Sequence, residues 1–324
     1  LTIDSGNIGP MKPDPIRRTH IVRVARGEPR VARAKRPSAG RPGVAPCRVA
    51  GVDFTSRPTR TKPVTVALGQ RCGDDVILER VDAHENYASL AAWLRTPGPW
   101  VAAFDFPFGL PRELVAALGW PLEWRALIDR YTGLTRAQIR TVFAAFCAAR
   151  PAGAKFAHRA CDGPAGSSSP MKWVNPPVAY MLHAGVPLLL EAGLHLPHLH
   201  LGDTARIALE GYPGLLAREL IGRRSYKSDE KAKQTADRLQ ARADLIDALE
   251  RGSGRLGLRL RVTAAQRAAL VADASADRLD AVLCMLQAAW STGQPGHGLP
   301  DAPDALEGWI VSAPFFTLPA AGSA

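Results

Sequence analysis

Three short apolar stretches that each run into a single acid constrain this chain more than any other feature of it. Residues 49–54 read Val-Ala-Gly-Val-Asp-Phe, residues 100–107 Trp-Val-Ala-Ala-Phe-Asp-Phe-Pro, and residues 206–213 Arg-Ile-Ala-Leu-Glu-Gly-Tyr-Pro. Each reads as a buried strand, in which alternate side chains point to opposite faces. In the first, Val49, Gly51 and Asp53 share one face, and Ala50, Val52 and Phe54 the other. A carboxylate inside an apolar strand is costly unless something pairs with it. Asp53 alone also suits a turn cap over Thr55-Ser56. Its repetition at Asp105 and Glu210 argues for acids gathered at one edge of a sheet.

The remaining pattern suits an α/β domain built on that sheet. Residues 63–68 and 75–81 read as strands, and the turn residues of 69–74 join them as a hairpin. Asn86 is a helix N-cap. Tyr87, Leu90, Ala91 and Leu94 follow at helical spacing, and Pro97-Gly98-Pro99 stops the helix. Between about 109 and 202 the pattern turns helical, at 122–131, 135–149 and 178–192, with Pro187 bending or splitting the last. Residues 151–177 are irregular. This block is expected to be a helical insertion on the active edge of the sheet. After Glu210 come a short helix at 214–220 and a basic loop at 223–229. A helix to Arg251 follows, capped by Ser228 or Asp229, then one capped by Thr263 and a final helix over 275–290. Residues 309–311 suit a short edge strand.

The net charge of +11 is unevenly placed. Residues 1–46 hold ten Lys/Arg and three Asp/Glu, so the body is only mildly basic and the pI argues weakly for nucleic-acid binding by it. With few large apolar residues, 1–46 cannot offset its ordering entropy. It is expected to be a disordered basic arm, solvated or touching nucleic acid, with Met11 as the expected start of the chain. The folded domain is expected over 47–319. The five cysteines are isolated and form no Cys-x-x-Cys, which argues against a disulfide framework or zinc knuckle and for a reducing compartment. No apolar run approaches the ~20 residues of a membrane span, and the opening residues lack the apolar segment of a secretory signal. The expectation is a soluble, cytoplasmic protein with no membrane partner.

The final helix supplies the remaining acids. Asp273, Asp277 and Asp280 are spaced by four and three, on one helical face. Asp273 and Asp277 also suit the helix N-terminus through its dipole, whereas Asp280 lies deeper. Four crowded carboxylates, Asp53, Asp105, Glu210 and Asp280, need cations to neutralise them. Mg²⁺ or Mn²⁺, with Asp277 as a further ligand, would do so and leave room for phosphate oxygens. Two such ions about 4 Å apart support in-line phosphodiester hydrolysis, with metal-bound water as nucleophile. Gly-x-Ser-x-Gly, a Walker loop and a dinucleotide fingerprint are all absent. Lys227, between Ser225 and Ser228, is a phosphate-binding candidate. Arg57, Arg60 and Lys62 suit phosphate binding or a solvated loop. Arg159 and Asp162 suit an ion pair or a substrate role. His195, His198 and His200 suit a loop or a metal, and Phe106, Phe108 and Trp173 suit core packing or base stacking.

Longer blocks add a resemblance. Residues 51–56 (Gly-Val-Asp-Phe-Thr-Ser), 104–111 (Phe-Asp-Phe-Pro-Phe-Gly-Leu-Pro), 210–217 (Glu-Gly-Tyr-Pro-Gly-Leu-Leu-Ala), 225–229 (Ser-Tyr-Lys-Ser-Asp) and 280–287 (Asp-Ala-Val-Leu-Cys-Met-Leu-Gln) resemble the signature blocks of the domain-of-unknown-function 429 family. The insertion fits it too, at His158-Arg159 with Asp162 and at Asn175-Pro-Pro. Members are regarded, on sequence grounds, as ribonuclease H-like nucleases. The resemblance implies a ribonuclease H-like fold: a mixed central sheet flanked by helices, an opening hairpin, and a C-terminal helix that brings the last acid to the first strand. It implies that Asp53, Asp105, Glu210 and Asp280 are catalytic and metal-binding. One departure is Glu85, which precedes the first helix where ribonuclease H carries a Glu inside it. A metal-dependent nuclease acting on RNA, DNA or a nucleotide is therefore expected. The rivals are an actin-like ATPase or phosphotransferase, which shares the sheet topology, and a non-catalytic nucleic-acid- or partner-binding module of the same fold.

Overall fold

A computed structural model describes residues 46–315. The arm expected over 1–46 lies outside the described residues apart from Pro46. The chain opens with strands β1 (Cys47–Asp53), β2 (Val64–Cys72) and β3 (Asp75–His84), followed by helix α1 (Tyr87–Leu94) and strand β4 (Trp100–Phe104). Next come α2 (Arg112–Ala117), α3 (Trp124–Thr132), α4 (Arg136–Ala148), α5 (Asp162–Ala165) and α6 (Val178–Glu191). The chain continues through β5 (Leu194–His195), β6 (Asp203–Glu210), α7 (Pro213–Ile221), α8 (Ala236–Arg251), β7 (Arg259–Arg261), α9 (Ala264–Ala272) and α10 (Asp277–Ser291).

The strands form one mixed seven-stranded sheet in the order β5-β6-β4-β1-β2-β3-β7. β1, β2 and β3 make an antiparallel meander, and β4, β6 and β5 extend it in parallel from β1. Each face of the sheet carries its own core. Ala50, Val52, Phe104 and Ala208 pack with α1, α3, α4 and α6. Val49, Val101, Ala103 and Leu209 pack with α7, α8 and α10. The closest join is at Gly51, where a Cβ would stand 2.0 Å from the Met285 nitrogen and 2.1 Å from the Ala281 oxygen. Only a residue without a side chain lets α10 lie this near β1.

Several local expectations are corrected. The 63–68 and 75–81 strands are longer, and they are joined by a tight turn at Gly73, φ +63°. Helix α6 runs unbroken through Pro187. Thr235, not Ser228 or Asp229, caps α8, because a 3₁₀ turn at Lys231–Lys233 intervenes. Residues 309–311 add only a single bridge, Ile310 to Glu210. The final helix begins at Asp277, after Ala276 at φ +59°. Asp273 ends α9 and accepts hydrogen bonds from Ser275 Oγ and Arg278 N. The three acids thus do not share one helix, and Asp280 sits in the first turn of α10, where the helix dipole favours it.

Candidate active site

The parallel register decides which acids meet. Val52 pairs with Phe104, and Phe104 with Glu210. Residues in register on neighbouring strands share a face. Asp53 therefore aligns with Asp105, whose N–H donates to the Val52 carbonyl at 2.9 Å. Both acids lie on the α10 side. The position aligned with them is Gly211, just past the end of β6, where a Cβ would touch Cys284 Sγ at 3.1 Å and Ala103 Cβ at 3.2 Å. Glu210 falls one residue short and faces the opposite core.

Neither Asp53 nor Asp105 accepts a side-chain hydrogen bond among the described residues, although both are largely buried. Burial pushes the Asp53 carboxyl well above the ordinary value of 3.8, and the charges of Asp280, Asp277 and Asp105 add to it against Lys227. Burial likewise pushes Asp105 up to about 7, opposed by Lys227 and helped by Asp280 and Glu210. The group is closed by α10 and the 223–229 loop. Tyr226 Oη donates to Asp280 Oδ1 at 2.6 Å, and Lys227 Nζ donates to Asp280 Oδ2. The loop is fixed in turn by α8: Arg242 Nη1 donates to the Tyr226 carbonyl at 2.8 Å and Arg238 Nη1 to the Lys227 carbonyl at 2.7 Å. Asp277 lies at the margin, bonded to Lys62 Nζ at 2.8 Å, which also reaches Asp229 at 3.0 Å. Burial lowers the proton affinity of Lys62, but these two carboxylates more than reverse that. Lys62 is therefore engaged as a strap between the two carboxylates. Arg60 is exposed, with no ion pair among the described residues.

On the other face, Glu210 is saturated. Arg159 donates from Nη2 to Oε1 at 2.6 Å and from Nη1 to Oε2 at 2.7 Å, and Phe108 N donates to Oε2 at 3.0 Å. Arg159 also holds Asp162 Oδ1 at 2.9 Å and the Glu307 carbonyl at 3.0 Å. Burial raises the Glu210 carboxyl, while Arg159 opposes the rise. The four expected acids thus differ in their partners, although Glu210 lines the same cavity as Asp105. Asp53, Asp105 and Asp280 form one group, while Glu210 and Asp162 are a buried ion triad with Arg159, which pins the insertion to the sheet.

Among the described residues, no three or more His, Cys, Asp or Glu side chains are set to hold a metal ion. The partnerless pair Asp53 and Asp105 fits one hard cation, since Mg²⁺ is commonly held by one or two carboxylates and completes its shell with water and phosphate oxygens. Asp280 already has a cation, the Lys227 ammonium. Beside Asp105 opens a cavity of about 590 Å³, lined by Arg159, Arg218, Arg223, Arg224 and Lys227 against the acids Asp105 and Glu210. Sequence reasoning missed Arg242, and it quoted Tyr226 and the fully buried Gln287 only within longer blocks, with no role of their own. Gln287 ties the Tyr212 N–H to α10 at 2.8 Å, and its signal was a polar residue on the buried stripe of the last helix. The expected histidine cluster lies off this site, by β5, and Phe106 and Phe108 are core residues.

Comparison with known proteins gives one result. No curated protein and no solved structure matches the chain. The family model described as protein of unknown function DUF429 matches residues 51–305. That span contains every acid of the site, and the chain belongs to the DUF429 family.

Proposed function

We propose that this protein is a metal-dependent phosphodiesterase acting on RNA or DNA, with a ribonuclease H-like fold. The fold reading is supported by the opening antiparallel meander, the parallel β4 and β6 beside β1, and a last helix that brings Asp280 to the first strand. The observation that carries the chemistry is the pair of partnerless carboxylates ending two neighbouring parallel strands, beside a cavity rich in arginine.

Asp53 and Asp105 would hold a single Mg²⁺ or Mn²⁺. When bound, such an ion polarises a phosphoryl oxygen and acidifies a water. Asp280, oriented by the Tyr226 hydroxyl, keeps the Lys227 ammonium at the cavity wall, where it can meet a phosphate oxygen. Glu210 acts at one remove, by holding Arg159 and through it the loop of the insertion. The two-ion, four-acid arrangement expected from sequence is replaced in this reading by one ion on two acids.

The test is cleavage of end-labelled RNA and DNA with Mg²⁺ or Mn²⁺. Asp53→Asn is expected to lose at least about 100-fold in rate, in keeping with the several kcal/mol a metal contributes, while retaining its circular dichroism spectrum. Unchanged cleavage by that folded variant defeats the proposal.

A further inference from the structure

We infer that the cavity beside Asp105 binds a nucleoside carrying a phosphate monoester, either a free mononucleotide or the phosphorylated end of a strand. The inference rests on the hydrolytic reading only for the phosphate's place beside Asp105. The cavity itself is argued from its walls. Its volume of about 590 Å³ falls within the ~300–1,000 Å³ of small-molecule sites. That is room for one nucleotide, and not for a duplex.

The walls are of two kinds. Part of the lining is cationic. Arg159 is cancelled by Glu210, and Arg224 is paired with Asp244 at 2.6 Å. Arg218 has only neutral partners, the Tyr212 hydroxyl, the Ala165 carbonyl and the Tyr212 ring. Arg223 has no ion pair among the described residues. Two guanidiniums without a carboxylate thus face the cavity, with the start of α7 at Pro213 and Gly214 beside them. Guanidinium forks match the oxygens of phosphate. The rest of the lining includes the apolar residues Phe106, Pro176, Val178, Met181 and Ile310. A ligand that suits both kinds of wall carries anionic charge on one part and a flat, weakly polar body on another. A nucleoside monophosphate is such a molecule, whereas an internal phosphodiester brings one charge and chain on both sides.

The experiment is calorimetric titration of the full chain in EDTA with 5′-AMP, adenosine, and a hexanucleotide with a 5′-phosphate or a 5′-hydroxyl. The expected result is that 5′-AMP binds at least tenfold tighter than adenosine. Arg223→Ala removes a charge-assisted contact and is expected to weaken 5′-AMP about tenfold. Met181→Trp, which fills the cavity from an apolar lining position, is expected to do the same in a folded protein. Equal binding of the phosphorylated hexanucleotide identifies a strand end, and binding of 5′-AMP alone identifies a free nucleotide; both support the inference. Equal affinity for AMP and adenosine, or AMP affinity unmoved by both variants, overturns it. Because metal is absent, the two readings fail separately. AMP binding without metal-dependent cleavage defeats only the hydrolase, and cleavage without AMP binding defeats only the cavity.

Discussion

At the scale of single residues, Asp105 makes the sharpest claim. Its carboxyl is raised to about 7 from an ordinary 3.8. A carboxylate with a raised folded-state pKa destabilises the fold when ionised. The penalty is full above pH 7 and fades as pH falls toward 3.8. Asp105→Asn is therefore expected to stabilise the metal-free protein at pH 8 by an amount on the order of 2–4 kcal/mol. The gain should shrink steadily between pH 7 and pH 4. Urea midpoints across that range check it, and a gain that grows on acidification would contradict the assignment. Asp53 and Asp105 were legible in the sequence because each interrupts an apolar strand. The odd status of Glu210 was not, because it follows from the strand register. Aligned on Ala50, Ala102 and Ala208, the three stretches place Asp53 and Asp105 opposite Gly211, with Glu210 opposite Val52 and Phe104. Similar strand endings masked that one-residue offset.

Elements set the site through two joints. The first is β1 against α10 at Gly51. A methyl there would meet backbone atoms at 2.0 and 2.1 Å, whereas one at Gly211 would meet side-chain atoms no nearer than 3.1 Å. Gly51→Ala should cost more than the ~1–3 kcal/mol of ordinary overpacking, and Gly211→Ala clearly less. Denaturation midpoints of the pair check this, and equal costs would mean that α10 does not sit so close. The second joint is Arg159, which carries the insertion onto β6. Arg159→Met leaves Glu210 and Asp162 buried without their cation, at a cost of about 3–5 kcal/mol. Adding Glu210→Gln to that variant should return part of the loss, as measured by urea unfolding. Neither joint follows from periodicity. Gly51 looks like any strand glycine until α10 is placed on it. Arg159 lies in an irregular stretch whose path only the tertiary fold determines. Strand β7, three residues of Arg-Leu-Arg, was invisible for a related reason: it has no period of its own and exists by pairing with β3.

For the molecule as a whole, the charges at the sheet edge fall into two sets with different partners. Asp53, Asp105 and Asp280 lie on the α10 face with Lys227, and Glu210 and Asp162 lie on the insertion face with Arg159. Both carboxylates of the insertion-face set are bonded to Arg159, whereas two acids of the α10-face set remain without partners among the described residues. That asymmetry makes a thermodynamic prediction independent of any substrate. A cation that binds only the folded chain stabilises it by RT ln(1 + [L]/Kd), about 2.7 kcal/mol at one hundred times Kd. Mg²⁺ should therefore raise the melting temperature of the wild-type protein in a saturable way. Asp53→Asn should abolish the rise. Glu210→Gln should lower the starting melting temperature yet keep the rise, because its carboxylate already belongs to Arg159. Protons compete with the ion for Asp105, so the rise should be larger at pH 8 than at pH 6. Thermal denaturation of the three proteins over a Mg²⁺ series at both pH values decides the matter. If Glu210→Gln abolished the rise while Asp53→Asn kept it, the ion would belong on the opposite face of the sheet.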